Sequence, residues 1–231
     1  MRVSQVEQIQ DSGPGRQENS RSRNKEISRQ LILEAGRAEF IKSGYQQASL
    51  RTIARQAGLS VGAVYGHFQD KLSLFAAAVS PACEGLLAFF TDSRAEFDEL
   101  AYLQRAGESI KLANQKVRQM INYIYDRLEI FQLLQSGPPG HDLEDLINRA
   151  ADAHLALMKD YNRLLESLGS RINQVSDNVL HILNTSYLTA VFEPVIHGLS
   201  RRQALTYIDS ILIFFNAGWE AVFQLKEGPL T

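Results

Sequence analysis

The chain has one cysteine, one tryptophan, six prolines and a formal net charge of only −2. The lone thiol, Cys83, excludes an internal disulfide and any zinc site built on several cysteines. Near the C-terminus the longest uninterrupted apolar run is Ile211–Phe215, far short of the roughly twenty residues that span a bilayer, so no membrane helix is expected. The opening MRVSQVEQIQ lacks the apolar core and small-residue cleavage site of a secretory signal. Together with the cysteine usage this points to a reducing cytoplasm. No alternation of apolar and β-branched residues is long enough for a strand. Ser136-Gly137-Pro138-Pro139-Gly140 is followed by no Gly-Lys-Ser/Thr, so it reads as a connector, not a phosphate loop. His141, His154, His181 and His197 are too scattered to argue a metal site, and no cofactor is expected.

What is present is an ordinary globular balance: 231 residues, 45% hydrophobic and 22% charged. That length supports one sizeable core or two smaller ones without metal or disulfide staples. The near-neutral total conceals an asymmetry. Residues 1–24 carry a net +1, residues 25–75 carry +3, and the remainder carries −6. A basic N-terminal module on an acidic body suits a local anionic partner.

Residues 1–24, rich in Ser, Gln, Asn, Arg and Gly, read as a disordered arm. From Lys25, Ile27, Leu31, Ala35, Ala38 and Ile41 fall at spacings of three and four, which predicts a helix ending at Gly44. Ser49 is placed to cap a second helix running to about Ala57, and Ser60 a third beginning at Val61. Asp70 is placed to cap a fourth, which Pro81 should stop or kink. Helical periodicity continues across Leu86–Phe90, Phe97–Leu103, Ser109–Leu134, Asp142–Leu168, a segment from about Gln174, and Arg201–Leu225. The last opens on the capping-box spacing Ser200…Gln203. Pro194 should kink or end the segment before it. The fold class is all-α, with about nine helices.

Two short helices joined by Ala57-Gly58-Leu59-Ser60 make a helix-turn-helix, whose second helix can enter a DNA major groove. Ile53, Ala54, Ala57, Leu59, Val64 and Phe68 supply its apolar junction. Val61, Gly62 and Ala63 are small enough to let the second helix approach base edges. Ser49, Ser60, Tyr65, His67 and Lys71 supply donors for phosphates around the rim.

This segment resembles the DNA-binding domain of the TetR family of transcriptional regulators. The resemblance rests on Gly44-Tyr45 ending the first helix, the Ile-Ala…Ala-Gly core, and Tyr-x-His-Phe-x-x-Lys at 65–71. It covers roughly residues 25–75. It implies base or backbone contact from Arg51, base-facing positions at Val61, Gly62 and Ala63, and phosphate contacts from Tyr65, His67 and Lys71. Gly66 departs from the pattern, standing where the family usually has a larger residue; this removes a groove contact and shifts weight toward Arg51, Gln69, the N-terminal arm and DNA shape.

The resemblance further implies that residues 76–231 bind a small, largely apolar effector and dimerise through the last two helices. The sequence is compatible with that. Leu205, Ile208, Leu212, Phe215, Trp219 and Val222 form one face of the last helix, and Ile211, Phe214, Ala221 and Leu225 a neighbouring one. Candidate effector-lining residues are Phe89, Phe90, Tyr102, Tyr123, Phe131, His154, Met158, Tyr161 and His181. The sequence therefore reads as a non-enzymatic, homodimeric regulator, a repressor released from operator DNA by an effector. Two alternatives stand beside that reading: a helical ligand-binding or interaction protein with a degenerate helix-turn-helix, and an enzyme using His154 or His181 as an acid–base group.

Overall fold

The computed structural model describes residues 14–103 and 106–223 of the chain. Ten helices and no strand occur among them: α1 (Pro14–Gln47), α2 (Leu50–Gln56), α3 (Val61–His67), α4 (Lys71–Asp92), α5 (Arg94–Tyr102), α6 (Ala106–Tyr125), α7 (Leu128–Leu134), α8 (Leu143–Ser167), α9 (Asp177–Ile196) and α10 (Arg201–Phe223). Residues up to Glu39 together with Ala48–Ala78 form one compact unit. Phe40–Gln47 and the chain from Val79 onward form a second.

In the first unit, Ile32, Ile53, Val64, Leu74 and Phe75 are wholly buried, with Ala54 and Phe68 nearly so. Burying these branched and aromatic side chains is what holds helices as short as α2 and α3, which are too short to persist alone. Glycines punctuate the chain here as the sequence predicts. Gly44 interrupts α1 with φ +71°, and Gly58 turns the chain between α2 and α3 with φ +68°.

The N-terminal arm departs from expectation. Residues 1–24 read as disordered, yet the chain is helical from Pro14, while residues 1–13 lie outside the described residues. Arg, Gln and Glu are good helix formers, and a helix already nucleated by its packed part extends one residue per hydrogen bond without needing an apolar stripe. Periodicity is blind to such a segment, because its sequence carries no apolar repeat.

In the second unit α8 packs on α9, α10 on α6 and α9, α5 on α6 and α8, and α7 on α9. Ile121, Ile124, Phe131, Leu188, Val191, Phe192 and Ile208 are wholly buried at its centre. Pro81 neither stops nor ends α4, which runs on to Asp92. Val79, Ala82, Cys83 and Leu86 are buried on both sides of the proline and hold the helix across the missing donor. Pro194 likewise lies inside α9, in its final turn.

The stretch read as one helix from Ser109 to Leu134 divides at Asp126-Arg127 into α6 and α7. Tertiary bonds hold that corner. The Tyr125 hydroxyl donates to the Leu199 carbonyl at 2.8 Å, and Arg201 pairs with Asp126 at 2.5 Å. Gln135 donates to the Val195 carbonyl at 3.0 Å. Two stretches, Lys71–Tyr102 and Asp177–Ile196, are by length and composition apolar enough to cross a membrane. An uninterrupted-run criterion overlooks them because scattered polar residues break the run. In α9 the apolar positions Leu180, Leu188, Val191, Phe192 and Val195 are buried against the other helices, the pattern of a core helix.

Candidate functional site

The helix-turn-helix is built from its caps inward. Ser60 is extended, and its hydroxyl accepts from the Ala63 amide at 3.1 Å, satisfying one of the open donors at the start of α3. Asp70 does the same for α4, accepting from the Ser73 amide at 2.7 Å, while Ser73 Oγ accepts from the Asp70 amide at 3.1 Å. Ser49 occupies the cap position of α2, but its side chain makes no capping bond there. The Ser49 hydroxyl is therefore not committed to its helix.

Between those caps α3 presents an open face. Tyr65 is 57% exposed, and Gly62 and Gly66 are exposed beside it. Val61, Ala63 and His67 are half-buried, while Val64 and Phe68 turn inward. Arg51 is exposed at the start of α2. Arg29 of α1 places its guanidinium 5.4 Å from the centre of the Phe68 ring, a cation–π contact that keeps a positive charge at the C-terminal end of α3. Lys71 is half-buried and donates from Nζ to the Ala48 carbonyl at 3.3 Å. That bond uses one of three ammonium donors and fixes the charge at the start of α4. Arg29 is a feature that sequence reasoning misses; its place opposite an aromatic residue nearly forty positions away leaves no local signal.

The residues assigned to an effector site divide into separate groups. Phe89, Tyr123 and Phe131 meet edge to face, with ring centres 5.6 and 6.3 Å apart. Phe131 is wholly buried. His154 lies between Phe90 at 5.7 Å and Tyr187 at 5.4 Å, and Tyr187 continues to Phe215 at 4.9 Å. Tyr161 meets Phe97 at 5.8 Å, and its hydroxyl is 2.5 Å from Ser109 Oγ. Met158 is half-buried on α8. Tyr102 and His181 are at the surface: Tyr102 is 64% exposed at the end of α5, and His181 is exposed on α9.

Asn184, buried on α9 and not among the residues that the sequence singles out, organises the His154 group. Its amide nitrogen donates to the Ala151 carbonyl at 2.5 Å, which can only accept. Its Oδ1 therefore faces His154 Nδ1, also at 2.5 Å, and must accept a hydrogen bond from it. The imidazole is thus held as the Nδ1–H tautomer, with Nε2 left as an acceptor. Burial lowers the His154 pKa below the usual imidazole value, and the bond to Asn184 opposes that in part. Burial raises the Tyr187 hydroxyl above its ordinary range and lifts the Cys83 thiol to about 11, leaving that sulfur protonated and unreactive at neutral pH. Among the described residues no three His, Cys, Asp or Glu side chains gather closely enough to hold a metal ion.

The outer face of α9 carries an open groove of about 520 Å³, lined by His181, Ile182, Thr185, Ser186, Thr189 and Glu193. Within it Ile182 is 62% exposed, and on α10 Ile213 and Phe214 are 74% and 73% exposed.

Residues 32–78 match the family model described as bacterial regulatory proteins, tetR family. Over 55 residues the chain is 40% identical to the HTH-type transcriptional repressor BepR of Brucella suis biovar 1 (strain 1330), covering 24% of this chain and 26% of that protein. Over 66 residues it is 39% identical to the HTH-type transcriptional regulator SrpR of Pseudomonas putida, covering 29% and 31% of the two chains. The chain thus spans about a quarter to a third of the length of these curated relatives. Among solved structures, SmeT, the repressor of the Stenotrophomonas maltophilia multidrug efflux pump SmeDEF, superposes with a TM-score of 0.55 at 18% identity, covering 88% of this chain and 93% of its own. NalD, the secondary repressor of the MexAB-OprM multidrug efflux pump in Pseudomonas aeruginosa, gives 0.53 at 18% identity, covering 83% and 96%. At that identity the two structures establish a shared all-α fold.

Proposed function

Starting from a helix-turn-helix of the tetR family at residues 32–78, we propose that this protein is a DNA-binding transcriptional regulator, a homodimeric repressor that leaves its operator when a small, largely apolar effector binds the helical body. The observation that carries the reading is the open face of α3: a capped helix start with Val61, Gly62 and Ala63, followed by the exposed Tyr65. Ser49, Arg51, Ser60, Tyr65, His67 and Lys71 surround it with donors suited to phosphate oxygens. A DNA partner implies a cytoplasmic protein.

The second copy is assigned to α9 and α10. A two-fold reader needs two recognition helices about 34–36 Å apart, and an isologous interface uses one patch on both subunits. Val179, Ile182, Ile213 and Phe214 are large apolar side chains left exposed on these two helices. Effector binding is assigned to the aromatic groups around Phe89, Tyr123 and Phe131 and around His154, where one neutral imidazole acceptor stands among rings. Release then follows as a shift of population toward a conformer that fits DNA poorly.

The test is selection of duplexes from a random pool, followed by affinity measurement across salt concentration. A preferred two-fold sequence is expected, with Lys71→Ala flattening the salt slope by about one unit through loss of one phosphate-neutralising charge, and Tyr65→Phe weakening binding at an unchanged slope. Uniform affinity for all duplexes would instead support a helical ligand-binding or interaction protein with a degenerate helix-turn-helix.

A further inference from the structure

The sequence offers Tyr123 as a pocket residue, yet the structure commits its hydroxyl to α4. Oη donates between the carbonyls of Pro81, at 3.3 Å, and Ala82, at 3.1 Å. It comes this close because residue 85 is glycine: a Cβ there would overlap Tyr123 Oη and stand 2.9 Å from Cζ. The ring is held from other sides. The Arg127 guanidinium lies 4.0 Å from its centre, and Phe89 and Phe131 meet it edge to face.

The turn of α4 under this hydroxyl is weak by composition. Pro81 has no N–H, so the carbonyl four residues earlier, on Ala77, loses its intrahelical partner. Gly85, one turn on, is the poorest helix former after proline. Two such residues four positions apart concentrate bending into one turn. The brace comes from the last turn of α6, which is itself tied to the α9–α10 corner by Tyr125 and Asp126.

We propose that Tyr123 is a latch across a hinge at Pro81–Gly85 of α4, and that it holds the helix which begins at Lys71 of the helix-turn-helix in one conformation. Its effect on DNA affinity rests on the regulator reading above; the hinge itself does not. Without the latch α4 samples more conformations, and DNA binding must restrict them again.

The experiment compares wild type, Tyr123→Phe, Gly85→Ala and the double variant by hydrogen exchange and by affinity for duplexes that the wild type selects from a random pool. Tyr123→Phe removes one oxygen and leaves the apolar packing in place. Loss of one hydrogen bond is expected to speed amide exchange over residues 77–89 about fivefold, with α8 unchanged. Gly85→Ala should reproduce the effect by evicting the hydroxyl, and the double variant should match Gly85→Ala alone. DNA affinity should fall about threefold to fivefold with an unchanged salt slope, since no phosphate contact is lost. Unchanged exchange in Tyr123→Phe, or single effects that multiply in the double, would overturn the latch. Faster exchange with unchanged affinity would overturn its link to DNA binding. If the wild type selects no duplex, the regulator reading fails while the exchange comparison still decides the latch.

Discussion

Asn184 accepts a hydrogen bond from His154 on one side and donates one to the Ala151 carbonyl on the other, both at 2.5 Å. One side chain of α9 thereby sets the tautomer of a histidine on α8 and satisfies a backbone oxygen of the same helix. The Ala151 carbonyl already accepts the intrahelical bond of α8, so Asn184 occupies its second lone pair, whereas leaving His154 Nδ1–H unpaired costs about 1–3 kcal/mol.

Burial of that imidazole makes stability fall as the pH drops. Burial lowers the His154 pKa in the folded state, whereas the unfolded imidazole titrates near its usual value of about 6.5. Above that value both states are neutral and the full stability is present. As pH falls through about 6.5 the unfolded chain takes up a proton that the folded one resists, and stability is lost. His154→Gln should flatten the dependence of thermal midpoint on pH between 7 and the folded-state pKa; an unchanged slope would assign the dependence to another group.

Asn184→Leu tests the other half of the pair. The variant leaves His154 Nδ1–H without its partner inside the body, and is expected to destabilise by about 2 kcal/mol in urea unfolding. A neutral result would show that water reaches the imidazole.

In α3, Gly66→Ala should stabilise. A Cβ at Gly66 meets nothing within 4 Å, and its backbone is helical, so the gain is the helix preference of alanine over glycine, roughly 1 kcal/mol. Ser60→Ala should do the opposite, losing the cap on the Ala63 amide at a cost of about 1 kcal/mol. Chemical denaturation of both variants checks the pair of signs.

At the surface, Phe214→Glu should convert the proposed dimer into a monomer. It puts a charge into the most exposed apolar patch of α10, and central aromatic residues of interfaces are worth about 2 kcal/mol or more each. Sedimentation velocity should show the monomer with helical content intact. A variant that still dimerises would move the interface away from these helices.

The helix-turn-helix is legible in the sequence because its signals are local. Ser60 and Asp70 cap their helices through bonds three residues long, as the Ser200…Gln203 box does for α10, and Gly44 and Gly58 adopt the positive φ their positions require. What stays hidden depends on partners distant in sequence. Nothing at Asp126-Arg127 announces a helix break; it is fixed by Leu199 and Arg201. Pro81 has the composition of a stop, and buried neighbours on both sides override it. Of the aromatic residues, periodicity shows that Phe89, Tyr102, Tyr123 and Phe131 belong to helices. It cannot tell that Tyr102 faces solvent or that the Tyr123 hydroxyl grips a neighbouring backbone.

On the proposed reading the start of α3, Val61-Gly62-Ala63, brings methyl groups and bare backbone to a DNA groove, with no long amide or guanidinium among them. Such a surface distinguishes thymine methyls and groove width better than it spells out individual letters. On that reading an operator is defined more by the distance between its two halves than by the bases within them. Single base changes inside a half-site should be forgiven, while inserting half a helical turn between the halves should not.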